Sequence, residues 1–422
     1  MRSSVHFACR LGVFLSLCLS LDTLAGPGEG ANIFSWVFSP YLDVSFTDDS
    51  NVYKDRFDPI ADTYFEPEIG LRFSSSSDTN LFSIRGNAFY SDREYSTEKN
   101  RNMDTYGDSV LLRLGNGRKS MLELIQSYRN LDDLDRHYAD IESSSLAAEM
   151  VEDSNTLDLQ REINQLGAAL SRRMSDRLEL ALSYRYSGVD YDNETHERLD
   201  PKDLGVPPGL DLDGHILQLD GALGLTDKTD AFLTLRQGYQ TQESTEGEAE
   251  FTTGRLGLKS QGSSRITYTA AAGVERYTRP PQIDPEEQVN FSFNASVDWF
   301  MTEKLTFRVG GYNGTQFSSF YAGNAMEYLS GWTGLGYRWK PNTTFSVRGV
   351  YRIDDYLDPV THLGVTDYRT DDRLEGHARV DYIAPGGFLR LYVEYIYEEV
   401  KSNFDFVEYD EQRLILGAIV RY

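Results

Sequence analysis

Arg373-Leu374-Glu375-Gly376-His377-Ala378-Arg379-Val380-Asp381-Tyr382 alternates without a break. Leu374, Gly376, Ala378, Val380 and Tyr382 fall on one side, and Arg373, Glu375, His377, Arg379 and Asp381 on the other. A period of two belongs to an extended strand, whose successive side chains point to opposite faces. Five ionisable groups in register cannot meet hydrocarbon, where a midplane arginine costs about 2–4 kcal/mol. They must face water or one another, while the opposite side is apolar.

The same two-sided pattern recurs along the chain. Leu389, Leu391, Val393, Tyr395 and Tyr397 oppose Arg390, Tyr392 and Glu394. Val289, Phe291, Phe293, Ala295, Val297 and Trp299 oppose Asn290, Ser292, Asn294, Ser296 and Asp298. Leu178, Leu180, Leu182, Tyr184 and Tyr186 oppose Glu179, Ser183 and Arg185. From about residue 33 onward the pattern predicts strands near 33–46, 63–74, 80–92, 104–115, 119–130, 153–171, 177–190, 213–225 and 229–240. It continues with 248–260, 264–276, 287–300, 304–316, 325–339, 343–355, 372–383, 387–399 and 408–422.

The connections sort by parity. Alternate ones are short and turn-like, at 74–78, 115–118, 172–176, 226–229, 261–264, 301–304, 340–342 and 384–387. The others are longer and acidic, notably 47–62, 131–152, 191–212 and 356–371. Short turns on one side and long loops on the other are the outer-membrane barrel pattern. The expected fold is therefore all-β: a transmembrane antiparallel up-and-down β-barrel of about 18 strands, with short periplasmic turns and long extracellular loops. Closure has a physical reason, since a sheet edge in hydrocarbon would leave backbone groups unpaired.

Composition agrees with this reading. The chain has 422 residues, 13% of them aromatic, with 35 Gly and a net charge of −25. No apolar run approaches the length of a spanning helix. Arg2 and Arg10 followed by the apolar stretch 11–21 and Thr23-Leu24-Ala25 read as a secretory signal peptide over 1–25, leaving 26–422 as the barrel. Both cysteines, Cys9 and Cys18, lie in that leader, so the exported chain carries no thiol. Removing Arg2, Arg10 and Asp22 brings the charge to about −26, a poor match to nucleic acid, which needs a basic footprint.

Little catalytic chemistry is legible. No HExxH, GxSxG, P-loop or EF-hand pattern is present. The chain reads as a non-enzyme without catalytic residues, metal or cofactor. The polar strand phases are predicted to line the lumen with Arg72, Arg85, Arg185, Arg308, Arg348, Arg352, Arg373, Glu375, His377, Arg379, Asp381, Arg390, Glu394 and Arg413, with Arg236 and Arg255 beside them. Such arginines set pore selectivity as a ring of charge, or brace the wall by pairing across strands. In the last strand Leu414, Leu416, Ala418, Val420 and Tyr422 form an apolar face ending on an aromatic residue. Of these, Leu414, Leu416, Val420 and Tyr422 are read as a C-terminal signal for the barrel-assembly machinery.

The stretch Ser39-Pro40-Tyr41-Leu42-Asp43-Val44, then Asp48-Asp49-Ser50-Asn51-Val52-Tyr53, then Phe65-Glu66-Pro67-Glu68-Ile69-Gly70-Leu71 resembles the opening of the beta-barrel porin 2 family. Ser50 interrupts the family's usual Asp-Asp-Asn run. The resemblance implies a conduit associated with exopolysaccharide or capsule export and supplies no catalytic residues. The Asp48, Asp49 and Asn51 cluster suits either a cation or an Asx-type turn.

The expected protein is an integral channel of a bacterial outer membrane. Three readings stand: an exopolysaccharide-export conduit, with lumenal Tyr312, Tyr392 and Arg390 suited to anionic sugars; a passive diffusion porin for small solutes; and a plugged structural or surface-attachment barrel. Expected partners are outer-membrane lipid and lipopolysaccharide, the barrel-assembly machinery, and polysaccharide or small solutes in transit.

Overall fold

A computed structural model describes residues 31–33, 36–54, 56–76, 81–115, 119–131, 161–191, 211–242, 248–263, 265–278, 287–317, 325–362 and 365–421. The stretch 1–25 expected to be a leader, Tyr422 and most of the acidic loops at 131–152 and 191–212 lie outside these residues.

The described chain is strand after strand: β1 (Ala31–Ile33), β2 (Trp36–Asp49), β3 (Asp62–Ser76), β4 (Phe82–Tyr95), β5 (Met103–Gly115), β6 (Ser120–Leu131), β7 (Arg161–Arg173), β8 (Leu178–Tyr191), β9 (Leu212–Thr226) and β10 (Thr229–Gln242). It continues through β11 (Glu248–Ser263), β12 (Ile266–Thr278), β13 (Glu287–Phe300), β14 (Leu305–Phe317), β15 (Ala325–Lys340), β16 (Thr343–His362), β17 (Val365–Ile383), β18 (Leu389–Ser402) and β19 (Tyr409–Arg421).

From β2 to β19 each strand pairs antiparallel with the next, and β19 returns to β2 with Arg413 opposite Asp49 and Arg421 opposite Tyr41. Eighteen strands therefore close into a barrel. The short β1 pairs with Trp36–Phe38 of β2, a stretch that β19 does not reach, and so covers that part of the β2 edge.

The hairpin turns are built from the hydroxyl residues that mark them in the sequence. Ser175 Oγ accepts the Leu178 N–H at 3.1 Å, Ser263 Oγ accepts the Ile266 N–H at 3.1 Å, and Thr302 Oγ1 accepts the Leu305 N–H at 3.0 Å. Each turn thereby pairs backbone donors that the ladder does not use. At 384–387 the turn relies on glycine instead, with Gly386 at φ +90° and Gly387 at φ +77°. Near Asp49 the Asn51 N–H donates to the Asp49 carboxylate at 2.9 Å, an Asx-type turn.

One expected loop is not a loop. The acidic stretch 356–371 is largely strand, because β16 and β17 run 20 and 19 residues and meet in a tight hairpin. Their register shifts between Asp355 and Pro359, a bulge that bends the pair. Arg369 and Arg373 supply the counter-charge that makes this stretch fit to be a wall.

The two strand phases have opposite surroundings. Asp354, Arg369, Asp371 and Arg413 are buried, whereas Leu374, Leu391, Val393, Leu414 and Leu416 on the alternate phase are exposed. The polar phase is the inside of the barrel and the apolar phase its outside. That inversion of a soluble fold is the arrangement a lipid bilayer requires.

Candidate functional site

The inner face is the candidate site, and the ladders fix which side chains share it. Arg308 lies opposite Gly334, Gly334 opposite Arg348, and Arg348 opposite His377. Continuing round the wall, Arg379 lies opposite Glu394, Asp381 opposite Tyr392, and Tyr392 opposite Gly417. Arg352 lies opposite Arg373, and Ile396 opposite Arg413. On the far side Arg72 faces Asn87 and Arg85 faces Ser74. Arg185 faces Gly167, and Arg236 faces Thr253 beside Arg255. All of these occupy one phase of the closed sheet.

Most of these charges are matched at contact distance. Arg379 reaches Asp381 at 3.1 Å and Glu394 at 2.8 Å, and Arg390 reaches Asp381 at 2.8 Å. His377 bonds to Glu375 and lies 3.5 Å from Glu394. Arg413 sits 3.5 Å from Glu411 and 3.8 Å from Glu398. Arg352 and Arg373 converge on Asp354 at 2.6 and 3.0 Å, and Arg369 holds Asp371 at 2.6 Å. Many of these pairs join residues two apart on a single strand, the spacing at which side chains share a face. Arg185 bonds to Gln218 at 3.3 Å and Arg255 to Ser292 at 2.8 Å.

The arginines near the turn side are different. Arg85, Arg338 and Arg348 are exposed and have no ion-pair partner among the described residues. Arg308, also exposed, has only Asp298 at 3.5 Å. Arg308 and Arg348 flank Gly334, and the space above Gly336 is open. The glycines keep the wall low there, so the guanidiniums stand over a shallow, water-accessible patch.

Beside the closing strands the inner wall holds a cavity of about 320 Å³, lined in part by Tyr41, Glu68, Arg72, Arg85, Asn87 and Phe89. Arg72 lies over the Tyr41 ring at 5.0 Å, and the Tyr41 hydroxyl donates to Glu68 at 2.8 Å. The volume is at the lower end of about 300–1,000 Å³, the range typical of small-molecule sites.

Several inner aromatic rings lie flat across a glycine of the neighbouring strand. Tyr41 covers Gly70, Tyr392 covers Gly417, and Phe251 covers Gly238; a Cβ at any of these glycines would run into the ring. Such pairs pin the register of adjacent strands. They also occupy the rings: Tyr392 has Gly417 beneath it, Arg379 over it at 4.1 Å, and donates to Asp43 at 3.2 Å. Tyr312 packs edge-on against Tyr328 at 5.8 Å.

A contact between distant strands lies on the loop side. Leu357, in the bulge of β16, packs with Phe251 against Ala249 and Tyr277. Those partners belong to the inner faces of β11 and β12, several strands away round the wall. The start of the β16–β17 hairpin therefore leans into the barrel.

Sequence reasoning omitted Arg93, Arg113, Arg338 and Arg369 from the inner set. Arg93 pairs with Glu66 at 3.2 Å and Arg113 with Glu123 at 2.5 Å. Arg93 has the phase of Arg85, and Arg369 that of Arg373, so extending each strand would have found them. Of the apolar terminal residues, Leu414, Leu416 and Val420 are exposed on the outer phase, and Tyr422 is outside the described residues. Among the described residues no group of three or more His, Asp and Glu is placed to hold a metal ion.

No family model and no curated protein matches the chain. Among solved structures it is similar to Pseudomonas aeruginosa OpdQ, with 16% identity over 92% of this chain and 100% of that one, at a TM-score of 0.49. The outer membrane protein OpdK of the same organism shows 12% identity, over 91% and 99% of the two chains, at 0.47. Acinetobacter baumannii OccAB4 shows 11% identity, over 91% and 98%, at 0.46. The strand ring itself, closed from β19 to β2 with an apolar exterior and a charged interior, makes the chain an integral outer-membrane β-barrel of eighteen strands.

Proposed function

We propose that this barrel is a diffusion channel for small polar solutes, with a preference for anions at its turn-side mouth. The observation that carries the reading is the charge-lined, predominantly polar inner phase of a closed eighteen-strand ring. A barrel of that size has room for water once its wall charges are matched. The exposed Arg85, Arg308, Arg338 and Arg348 give the mouth a positive local field. The cavity beside Tyr41 and Arg72 offers a resting point of small-solute dimensions.

Export of a polysaccharide has less support. A sugar-guiding lumen needs free aromatic faces, and the Tyr392 ring is covered on both sides. Arg390, the nearby candidate for acidic sugars, is engaged by Asp381. The leaning hairpin with Leu357 also narrows the loop-side half.

The test is conductance of the purified protein in planar bilayers, with reversal potentials in a salt gradient and added oligosaccharides. Steady conductance with anion preference and indifference to oligosaccharides supports the reading. Absence of conductance, or block by oligosaccharides with no passage of smaller solutes, overturns it.

A further inference from the structure

Among the described residues the wall is least complete at one seam. β13 and β14 share only seven ladder pairs, Asn294–Phe300 against Thr306–Tyr312. Each makes thirteen with its other neighbour, β12 or β15. On the loop side, residues 287–293 and 313–317 thus run without a ladder between them. Hydrocarbon does not tolerate such edges unless something satisfies them.

At the base of the seam a side chain does so. The Asn313 amide donates to the Phe291 carbonyl at 2.8 Å and accepts the Phe293 N–H at 2.6 Å. Above that clip the two sheets overlap. Asn290, on the inner phase of β13, donates to Glu327, on the outer phase of β15, bypassing β14. Leu357 of β16 likewise packs on the inner faces of β11 and β12. The loop-side ends of β14 to β16 therefore tuck behind β11 to β13, like a lap joint.

The overlap is polar and short of donors. Glu275 is 4% exposed, and its Oε2 accepts the Thr253 hydroxyl at 2.8 Å. Its Oε1 has no hydrogen-bond partner among the described residues, and neither has Gln288 Oε1. The charges of Asp355 and Glu275 both act on Glu327. Outside the joint the surface is strongly apolar: Val289 and Phe291 are 63% and 62% exposed. Buried acceptors that lack donors cost free energy, so the site favours a ligand that brings them.

We propose that this seam is a lateral binding site for a cationic amphipath. An alkylamine head group enters the joint from the outer leaflet and donates to Glu275 and Gln288, while its chain lies along Val289 and Phe291. The site is separate from axial passage through the lumen, and goes beyond the channel reading.

The probe is a photoreactive long-chain alkylamine added to the full protein in phosphatidylcholine vesicles, with an alkylsulfonate of equal length as the comparison. Peptide mapping should show amine labelling concentrated on 287–293 and 313–317, and sulfonate labelling spread round the belt. In an Asn290→Cys, Glu327→Cys variant, oxidation should abolish the seam labelling and reduction restore it. Should that pair fail to fold, Glu275→Gln serves, with seam labelling by the amine lost and belt labelling kept. Equal labelling by the two probes, or labelling indifferent to the disulfide or to Glu275→Gln, overturns the proposal.

Discussion

Replacing Asp354 by Asn tests whether the inner charges hold the wall together. Asp354 is wholly buried and receives Arg352 at 2.6 Å and Arg373 at 3.0 Å. Arg369 and Arg373 also share Asp371, at 2.6 and 3.8 Å. Three guanidiniums are thus held by two carboxylates, and the substitution leaves one carboxylate for three cations. Among the described residues Arg352 retains the Tyr328 ring, at 4.6 Å. Breaking a buried pair by removing one partner costs about 3–5 kcal/mol, because the remaining charge stays desolvated. The expected outcome is a loss of that size in urea unfolding from phosphatidylcholine vesicles, followed by tryptophan fluorescence and by the gel shift between folded and unfolded barrel. Adding Arg352→Met should recover part of the loss, with a coupling of roughly 0.5–3 kcal/mol between the two positions. A loss for Asp354→Asn no larger than the roughly 0.5 kcal/mol of surface substitutions would refute the reasoning.

Three other outcomes are expected. Arg308→Glu with Arg348→Glu should move the reversal potential in a salt gradient toward cation preference, since both residues flank the open patch at Gly334; an unchanged potential would place the selecting charges elsewhere. Leu357→Ala should raise single-channel conductance by relieving the contact with Ala249 and Tyr277, which current recordings read directly. Leu416→Arg, on the exposed outer phase of β19, should cost about 2–4 kcal/mol in the same vesicle titration if Leu416 sits near the bilayer midplane.

Much of this architecture was legible in the sequence. The alternation around His377 marks strand, phase and face at once, because the period of two ties all three together. The turn residues Ser175, Ser263 and Thr302 stand where the hairpins reverse, so loop parity follows. The stretch 356–371 misled because Asp358, Asp367 and Asp371, flanked by Asp354, Asp355 and Asp372, look like a solvated loop. Only the fold shows Arg352, Arg369 and Arg373 laid against two of them. The β13–β14 seam was invisible for another reason. Alternation in 287–300 and 304–316 reports that each is a strand, but not where their pairing stops. The arginine phases were readable; which guanidiniums are paired and which stand exposed depends on neighbours brought together by closure.

The pairing of charges two residues apart has a consequence for how such a wall is made. Arg352 with Asp354, Arg369 with Asp371, Arg379 with Asp381 and Arg413 with Glu411 each lie within one strand. β16, β17 and β19 each bring a counter-ion of their own, whereas Arg390 of β18 takes Asp381 from β17. A growing sheet can then add β16 to β19 hairpin by hairpin without holding an unbalanced row of cations at its open edge. Cross-strand bonds such as Arg379 to Glu394 need the neighbouring strand in place and tie it to the one before. Short-range neutrality of this kind makes the order of strand addition a matter of backbone pairing, free of electrostatic veto.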